Sequence, residues 1–279
     1  MRWLNFIFSH SIFISFCAIA LCFQTYALLH MDGNPFVYGF IFFSTLSSYN
    51  FYWFVSKYSF NKKPFPVFIK ENKVYLFFFF IAGLAMLYCL LKMDVGYYAY
   101  VGLGIVFTLL YSLPLWPFAF AQRARKAGFL KTTLLSFTWA YVTVIIPAFP
   151  VLQQEFLPVL VLFIARFFFM LMLCTIFDMR DSKIDKLHSL RSLATDVSRS
   201  ALQWIMTVVF FLYMGAGYFV RHYFHDNAQV VAFLLTGIIV WIVYRRSLKT
   251  QGYFFYYFLV DGLMLLSAVA TFAAQLVSS

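Results

Sequence analysis

Apolar runs of about twenty residues recur from one end of this 279-residue chain to the other, and each can cross the roughly 30 Å hydrocarbon core of a bilayer as a helix. Nine are counted, at 4–30, 35–56, 74–92, 95–113, 132–152, 156–177, 201–220, 228–244 and 253–277. The run at 132–152 carries Pro147 and Pro150 near its end, and the run at 228–244 is short. In lipid the backbone must satisfy its own hydrogen bonds, so repeated spans of this kind fold as helices packed on helices. The expected fold class is therefore all-α, a polytopic membrane bundle of about nine transmembrane helices. Charge content agrees: 11% of residues are charged, against roughly 25% in soluble domains.

The opening "MRWLNFIFSHSIFISFCAIALCFQTYA" has the basic start and small-residue end of a signal peptide. Its apolar part exceeds the about 7–15 residues of a signal core, so it reads as an uncleaved first span. Cys17, Cys22, Cys89 and Cys174 all lie inside spans, without C-x-x-C or metal-ligand spacing. Packed free thiols are expected.

A formal net charge of +11 raises the question of nucleic acid. Its distribution answers it. Arg2, then Lys57, Lys62, Lys63, Lys70 and Lys73, then Arg123, Arg125, Lys126 and Lys131 fall in alternate connections. Arg180, Lys183, Lys186, Arg191 and Arg199, then Arg245, Arg246 and Lys249, continue the pattern. The intervening connections hold only Lys92 and Arg221. This asymmetry follows the positive-inside rule and predicts a cytoplasmic N-terminus, an outside C-terminus and residence in a plasma membrane of the bacterial inner-membrane type. Anionic lipid heads account for the excess charge, and no nucleic-acid partner is expected. No polar linker separates modules, so residues 1–279 are read as a single integral domain. The longest polar connections, 57–73, 114–131 and 178–199, all lie on the predicted cytoplasmic face.

One of those connections concentrates acid. The chain has only ten carboxylates, and "CTIFDMRDSKID" places Asp178, Asp181 and Asp185 within eight positions. Spaced i, i+3, i+7, they share a helical arc of roughly 60°. Three carboxylates on one face repel each other, and a divalent cation relieves that repulsion. Oxygen ligands suit Mg²⁺, which commonly takes one or two carboxylates together with substrate phosphates. The alternative is a solvated loop whose acids pair with Arg180, Lys183 and Lys186.

"FDMRDSKIDKLHSLRSLA" resembles the second aspartate-rich motif of the UbiA-type intramembrane prenyltransferases, the 4-hydroxybenzoate polyprenyltransferase superfamily. That motif reads approximately D-x-R-D-x-x-x-D followed by a basic turn, for which "LRSLA" stands here. "YSLPLWPFAFAQRARKAGFLKTTLLSFTWAYVTVIIP", residues 111–147, is similar to the family's Y-[ST]-x-P loop, lysine and following span. The nine-span count, with the acidic motif after span six, also matches, so the resemblance runs over most of the chain. It implies a bundle around a central cavity open to the cytoplasmic side. An isoprenyl diphosphate would bind there through Mg²⁺ bridged to Asp178, Asp181 and Asp185. Ionisation and transfer of the isoprenyl group to a lipophilic acceptor would follow, with Asp181 and Asp185 catalytic. It also implies diphosphate contacts from Asn50, Tyr111, Ser112, Lys131 and Arg191.

The sequence departs from this pattern at span two. "STLSSYNFYWFVSKYSFNKKP" retains Asn50 but carries Phe54 and Tyr58 where the first motif's aspartates belong. Half of the usual metal cage is absent, and Thr132 replaces the asparagine often found after the lysine. Three readings stay open. One Mg²⁺ suffices, with Lys57, Lys62 or Lys63 replacing the second metal's charge; the substrate is not the usual diphosphate; or catalysis is lost and an isoprenoid-binding or scaffolding role remains. Transport is disfavoured, because nine spans do not divide into equal repeats and the charged motifs crowd one face.

Two charges lie within the spans. Arg166 is about 18 Å deeper than Asp178, and Asp261 about 15 Å deeper than Gln251, at 1.5 Å per residue. Intramembrane charges are normally paired, so an Arg166–Asp261 ion pair locking spans six and nine is expected. His10 is expected to be a hydrogen-bonded packing residue.

Overall fold

A computed structural model describes residues 2–59, 64–112, 128–187, 192–224 and 227–278. All regular structure among them is helical: α1 (Arg2–Ser9), α2 (Ile12–Leu28), α3 (Pro35–Ser59), α4 (Phe65–Glu71), α5 (Lys73–Lys92) and α6 (Tyr97–Ser112). Then follow α7 (Gly128–Ala140), α8 (Phe156–Leu187), α9 (Leu193–Asp196), α10 (Arg199–Phe224), α11 (Asn227–Ser247) and α12 (Asp261–Ser278). The chain is an integral membrane bundle. Six helical stretches are long and apolar enough to cross a bilayer, and a seventh if α1 and α2, bent by 64°, count as one span. Every predicted run coincides with a helix, but α6 is shorter than those spans and α3, rich in serine and tyrosine, falls outside the apolar set.

Local chemistry sets the helix ends. Asn34 caps α3, its Oδ1 accepting from Phe36 N–H (2.9 Å) and Val37 N–H (3.4 Å), with Pro35 at the first helical position. Ser11, left-handed at φ 63°, makes the bend between α1 and α2. Pro147 breaks α7. It has no N–H and cannot bond the Thr143 carbonyl four residues back. The helix widens instead into a π turn at Tyr141–Ile145, and Thr25 Oγ1 on α2 donates to the orphaned Thr143 carbonyl (2.7 Å). A sequence defect on one span becomes a contact between two.

α8 is the central helix. Two thirds (67%) of its span is buried in protein, against 11% for α5, whose Phe77, Phe80 and Leu84 face lipid. α8 packs against α7 and α10; α10 leads to α11, α11 to α12, and α12 returns to α2. α3 and α5 form a closely packed pair against α2, while α6 leans on α7. Ring contacts and hydrogen bonds show which ends lie together. Asn50 reaches His10, Tyr52 faces Tyr111 (6.2 Å), and Arg180 lies over Tyr256 (5.3 Å). At the opposite end Gln275 meets the Ala27 carbonyl and Tyr97 meets Phe149. The late residues of α3, α6 and α8 therefore share one face with the starts of α2, α5, α7 and α12.

Candidate functional site

Two features meet near that face: a cavity and a polar cluster. The cavity, about 410 Å³, lies between α3, α5, α6 and α7. Ser48, Tyr49, Tyr52, Thr108, Tyr111 and Trp139 give it a hydroxylic and aromatic wall. α3 and α6 both line it, with Tyr52 of α3 facing Tyr111 of α6 (6.2 Å). Its volume is in the range of small-molecule sites, roughly 300–1,000 Å³. None of the described α8 residues lines it. Trp139 Nε1 donates to Tyr49 OH (3.3 Å), fixing the inner wall.

Behind that wall is Cys174 on α8. It lies within electrostatic range of Lys131, Asp178 and Asp261 and bonds Ser136. Tyr49 and Tyr111 are in turn within range of Cys174. α7 joins the two features: its Thr132 holds Asp178, and its Leu135, Thr138 and Trp139 line the cavity. All four cysteines are free and buried, as expected.

α8 continues helically through the acidic motif, but the three acids have different surroundings. Asp178 Oδ2 accepts a short hydrogen bond from Thr132 Oγ1 and another from Leu193 N–H (3.2 Å). Asp181 accepts both arms of Arg180, Nε and Nη2, at 2.7 Å each. Arg180 itself is held among Phe177 (4.8 Å), Tyr256 (5.3 Å) and Tyr257 (4.8 Å), and its Nη1 is sealed from solvent without a partner. The side chain of Asp185, and Arg191 altogether, lie outside the described residues. Among the described residues no three His, Cys, Asp or Glu side chains converge as a metal cage. Asp181, 37% exposed in its side chain, is the acid whose bonding leaves lone pairs toward solvent.

α9 closes the cluster from outside. Thr195 Oγ1 accepts from Ser192 N–H (2.8 Å), Leu193 is fully buried, and Asp196 Oδ2 accepts from Gly128 N–H (3.1 Å) at the start of α7. The Thr132–Asp178–Leu193 triangle then ties α7, α8 and α9 together. Thr132, noted in the sequence only as a departure, turns out to be the residue that engages Asp178. No periodicity signals this, because the contact joins residues 46 positions apart.

The other expected contacts divide. Tyr111 and Ser112 line the cavity, and half-buried Lys131 sits with Asp178 near Cys174. Asn50 does not line it. Its Nδ2 donates to the carbonyls of His10 (2.9 Å) and Leu46 (2.8 Å), bracing the α1–α2 bend. His10 stacks on Tyr75 and hydrogen-bonds Ser9, the packing role expected of it.

The Arg166–Asp261 ion pair is not formed. Arg166 donates to the Leu21 carbonyl (3.2 Å), Thr143 Oγ1 (3.1 Å) and Gln24 Oε1 (2.7 Å). Gln24 passes the network on to Ser267 Oγ (3.0 Å) and Thr271 Oγ1 (2.8 Å) on α12. The two charges are not level: the network from Arg166 reaches α12 at Ser267 and Thr271, beyond Asp261, while Arg166 itself turns toward α2 and the π turn of α7. The missed partner was Gln24, a lone amide in an apolar run. Asp261 is within electrostatic range of Arg180 instead.

No protein-family model matches the chain, and no curated protein matches it in sequence. Among solved structures, it is similar to the apo structure of a UbiA homolog from Aeropyrum pernix K1. The two share 13% sequence identity with a TM-score of 0.66, over 95% of this chain and 98% of the other. The fold is that of a UbiA-type bundle.

Proposed function

We propose that the protein is a membrane prenyltransferase that moves an isoprenyl group from an isoprenyl diphosphate to a lipophilic acceptor of the quinone, haem or lipid type. The observation that carries this reading is the adjacency of an aromatic, hydroxyl-lined cavity to a cluster of acid and base at one end of α8. An amphiphile with an apolar tail and an anionic head fits that pair of environments. The UbiA-type fold supports the same reading.

The tail would occupy the cavity between α3 and α6, shielded from water by Tyr49, Tyr52 and Trp139. Lys131 and Arg180 would face the diphosphate, with Tyr111 and Ser112 at its junction with the tail and Arg191 over it from the loop. The donors fit Mg²⁺ only in its substrate-completed form, because one or two carboxylates plus phosphate oxygens suffice. Asp181 and Asp185 would hold the ion, and Asp178 would support them while tying α9 to the mouth. Bound Mg²⁺ would supply charge stabilisation for the departing diphosphate. Arg180, held on Asp181 through Nε and Nη2, would add fixed positive charge beside the anion. The positive-inside pattern puts this mouth on the cytoplasmic face, with the N-terminus inside.

A second reading is favoured by α3. With Phe54 and Tyr58 in the first motif and Asn50 bonded to His10, the protein binds isoprenoid without turning it over. One experiment separates them. Purified protein is tested for Mg²⁺-dependent binding of geranylgeranyl diphosphate, with Asp181→Asn plus Asp185→Asn as control, and then for alkylation of a lipophilic phenol. Binding that needs metal and both acids, followed by turnover, supports the enzyme. Binding without turnover supports the second reading, and no binding by folded protein rejects both.

A further inference from the structure

The hydroxyls along the cavity wall are not equivalent. Ser44, Thr108, Ser112 and Thr138 donate to carbonyls of their own helices, and Ser47 donates to the Phe79 carbonyl on α5 (3.1 Å). Their hydrogens are already engaged by backbone, the usual habit of serine and threonine within helices. Tyr49 differs. Its oxygen accepts from Trp139 Nε1 (3.3 Å), and both residues line the cavity. An indole N–H can only donate, so the phenol keeps its own hydrogen to give. No acceptor for that hydrogen is found among the described residues.

The wall also fixes where this donor stands. Tyr49 of α3 and Trp139 of α7 meet edge-on, with ring centroids 6.2 Å apart, and Trp139 is itself only 7% exposed. A hydroxyl tethered in this way gives up little freedom when a ligand binds. Tyr52, the next turn of α3, faces Tyr111 of α6. The reading above places the junction of diphosphate and tail at Tyr111. Tyr49 is three residues before Tyr52, about 4.5 Å along the helix axis. An isoprenyl tail has no oxygen and leaves a donor in apolar surroundings unmet, a cost that a ligand oxygen removes. The rings of Tyr49, Tyr52, Tyr111 and Trp139 suit a planar ring, which they meet edge-to-face or offset.

We infer that this end of the cavity binds the ring of a phenol or hydroquinone acceptor, whose ring oxygen accepts a hydrogen bond from the Tyr49 hydroxyl. Trp139 positions Tyr49 and does not touch that oxygen. The inference rests on the prenyl-transfer reading for the use made of the ring, and it narrows the lipophilic acceptor to an oxygenated ring held one helical turn from the reacting end of the tail.

The test needs no turnover. Full-length protein in lipid nanodiscs is photolabelled with 3-hydroxybenzophenone, and peptide mass spectrometry locates the label. Labelling is expected within 44–52 of α3 or within 135–146 of α7 and its π turn, the stretches that line the cavity, and 4-nonylphenol is expected to displace it. Label elsewhere, or label that 4-nonylphenol leaves in place, overturns the inference without any variant. Displacement is then compared with nonylbenzene, which has the same ring and tail without oxygen. Tyr49→Phe keeps the ring and removes the hydroxyl. It is expected to weaken 4-nonylphenol by about threefold to tenfold, the contribution of one hydrogen bond, and to leave nonylbenzene unchanged. Comparing variants within one compound cancels its partition into lipid. Trp139→Phe lets the Tyr49 hydroxyl turn and is expected to give part of the same selective loss. An equal change for both compounds, or no change for 4-nonylphenol in Tyr49→Phe, overturns the inference. Geranylgeranyl diphosphate binding is measured on the same samples. Its absence with oxygen selectivity intact overturns the prenyl-transfer reading and the acceptor role, but not the oxygenated-ring site. Its presence without oxygen selectivity overturns the inference alone.

Discussion

Replacing Gln24 by leucine tests whether the buried arginine is held by neutral groups. Gln24 Oε1 accepts from Arg166 at 2.7 Å, and its Nε2 donates to Ser267 Oγ, the Ser267 carbonyl and Thr271 Oγ1 at 2.8–3.1 Å. Losing a hydrogen bond to a charged group costs about 1.5–3 kcal/mol. The two amide hydrogens add about 0.6 kcal/mol each, the average for bonds inside a bilayer. The sum is about 3–4 kcal/mol, or a fall in melting temperature of roughly 6–16 °C at 2–4 °C per kcal/mol. The protein carries its own reporter: Cys17, Cys22, Cys89 and Cys174 are buried thiols, so a thiol-reactive dye reads unfolding. Adding Arg166→Met to Gln24→Leu removes the charge left stranded and is expected to recover part of the loss, because buried polar groups cost most when one partner alone is removed. A drop below about 2 °C for Gln24→Leu, taken at the same conversion, would refute the reasoning. So would a double variant less stable than the single one.

Other consequences are equally direct. Asn50→Leu frees the His10 carbonyl and should cost about 1–2 kcal/mol in dye-monitored stability, while leaving geranylgeranyl diphosphate affinity unchanged; a loss of affinity would restore its expected role at the mouth. Thr132→Val removes the bridge from α7 to Asp178, and hydrogen exchange at Leu193 N–H should quicken by about tenfold, the equivalent of about 1.4 kcal/mol. Arg180→Lys gives up the two-armed grip on Asp181 and the planar stacking on three rings, so diphosphate binding should weaken by about tenfold or more. Gly237→Ala places a Cβ 2.7 Å from Met214 Sδ and 2.9 Å from Tyr213 Cε1 where α10 meets α11; overpacking of about 1–3 kcal/mol is expected, read as a lower melting temperature.

The sequence by itself determined the class of fold. Twenty-residue apolar runs fold as helices in lipid, so the all-helical class, the helix break at Pro147 and the concentration of chemistry at the end of α8 follow from local composition, whereas the bend at Ser11, inside a run read as one span, does not. It also determined which residues are chemically able to hold an anionic ligand. Only the tertiary structure decided which of them do something together. A helix position gives depth at 1.5 Å per residue and says little about azimuth once a π turn or bend intervenes. Depth itself depends on where each helix is anchored, which is why Arg166, held by Gln24, and Asp261, near Arg180, never meet. It is also why Gln24, Thr143 and Thr132 became partners without any sequence signal, and why Asn50 braces a bend and does not line the cavity. Direction around the helix is fixed by packing against neighbours far away in the chain, and those neighbours exist only after the bundle has formed.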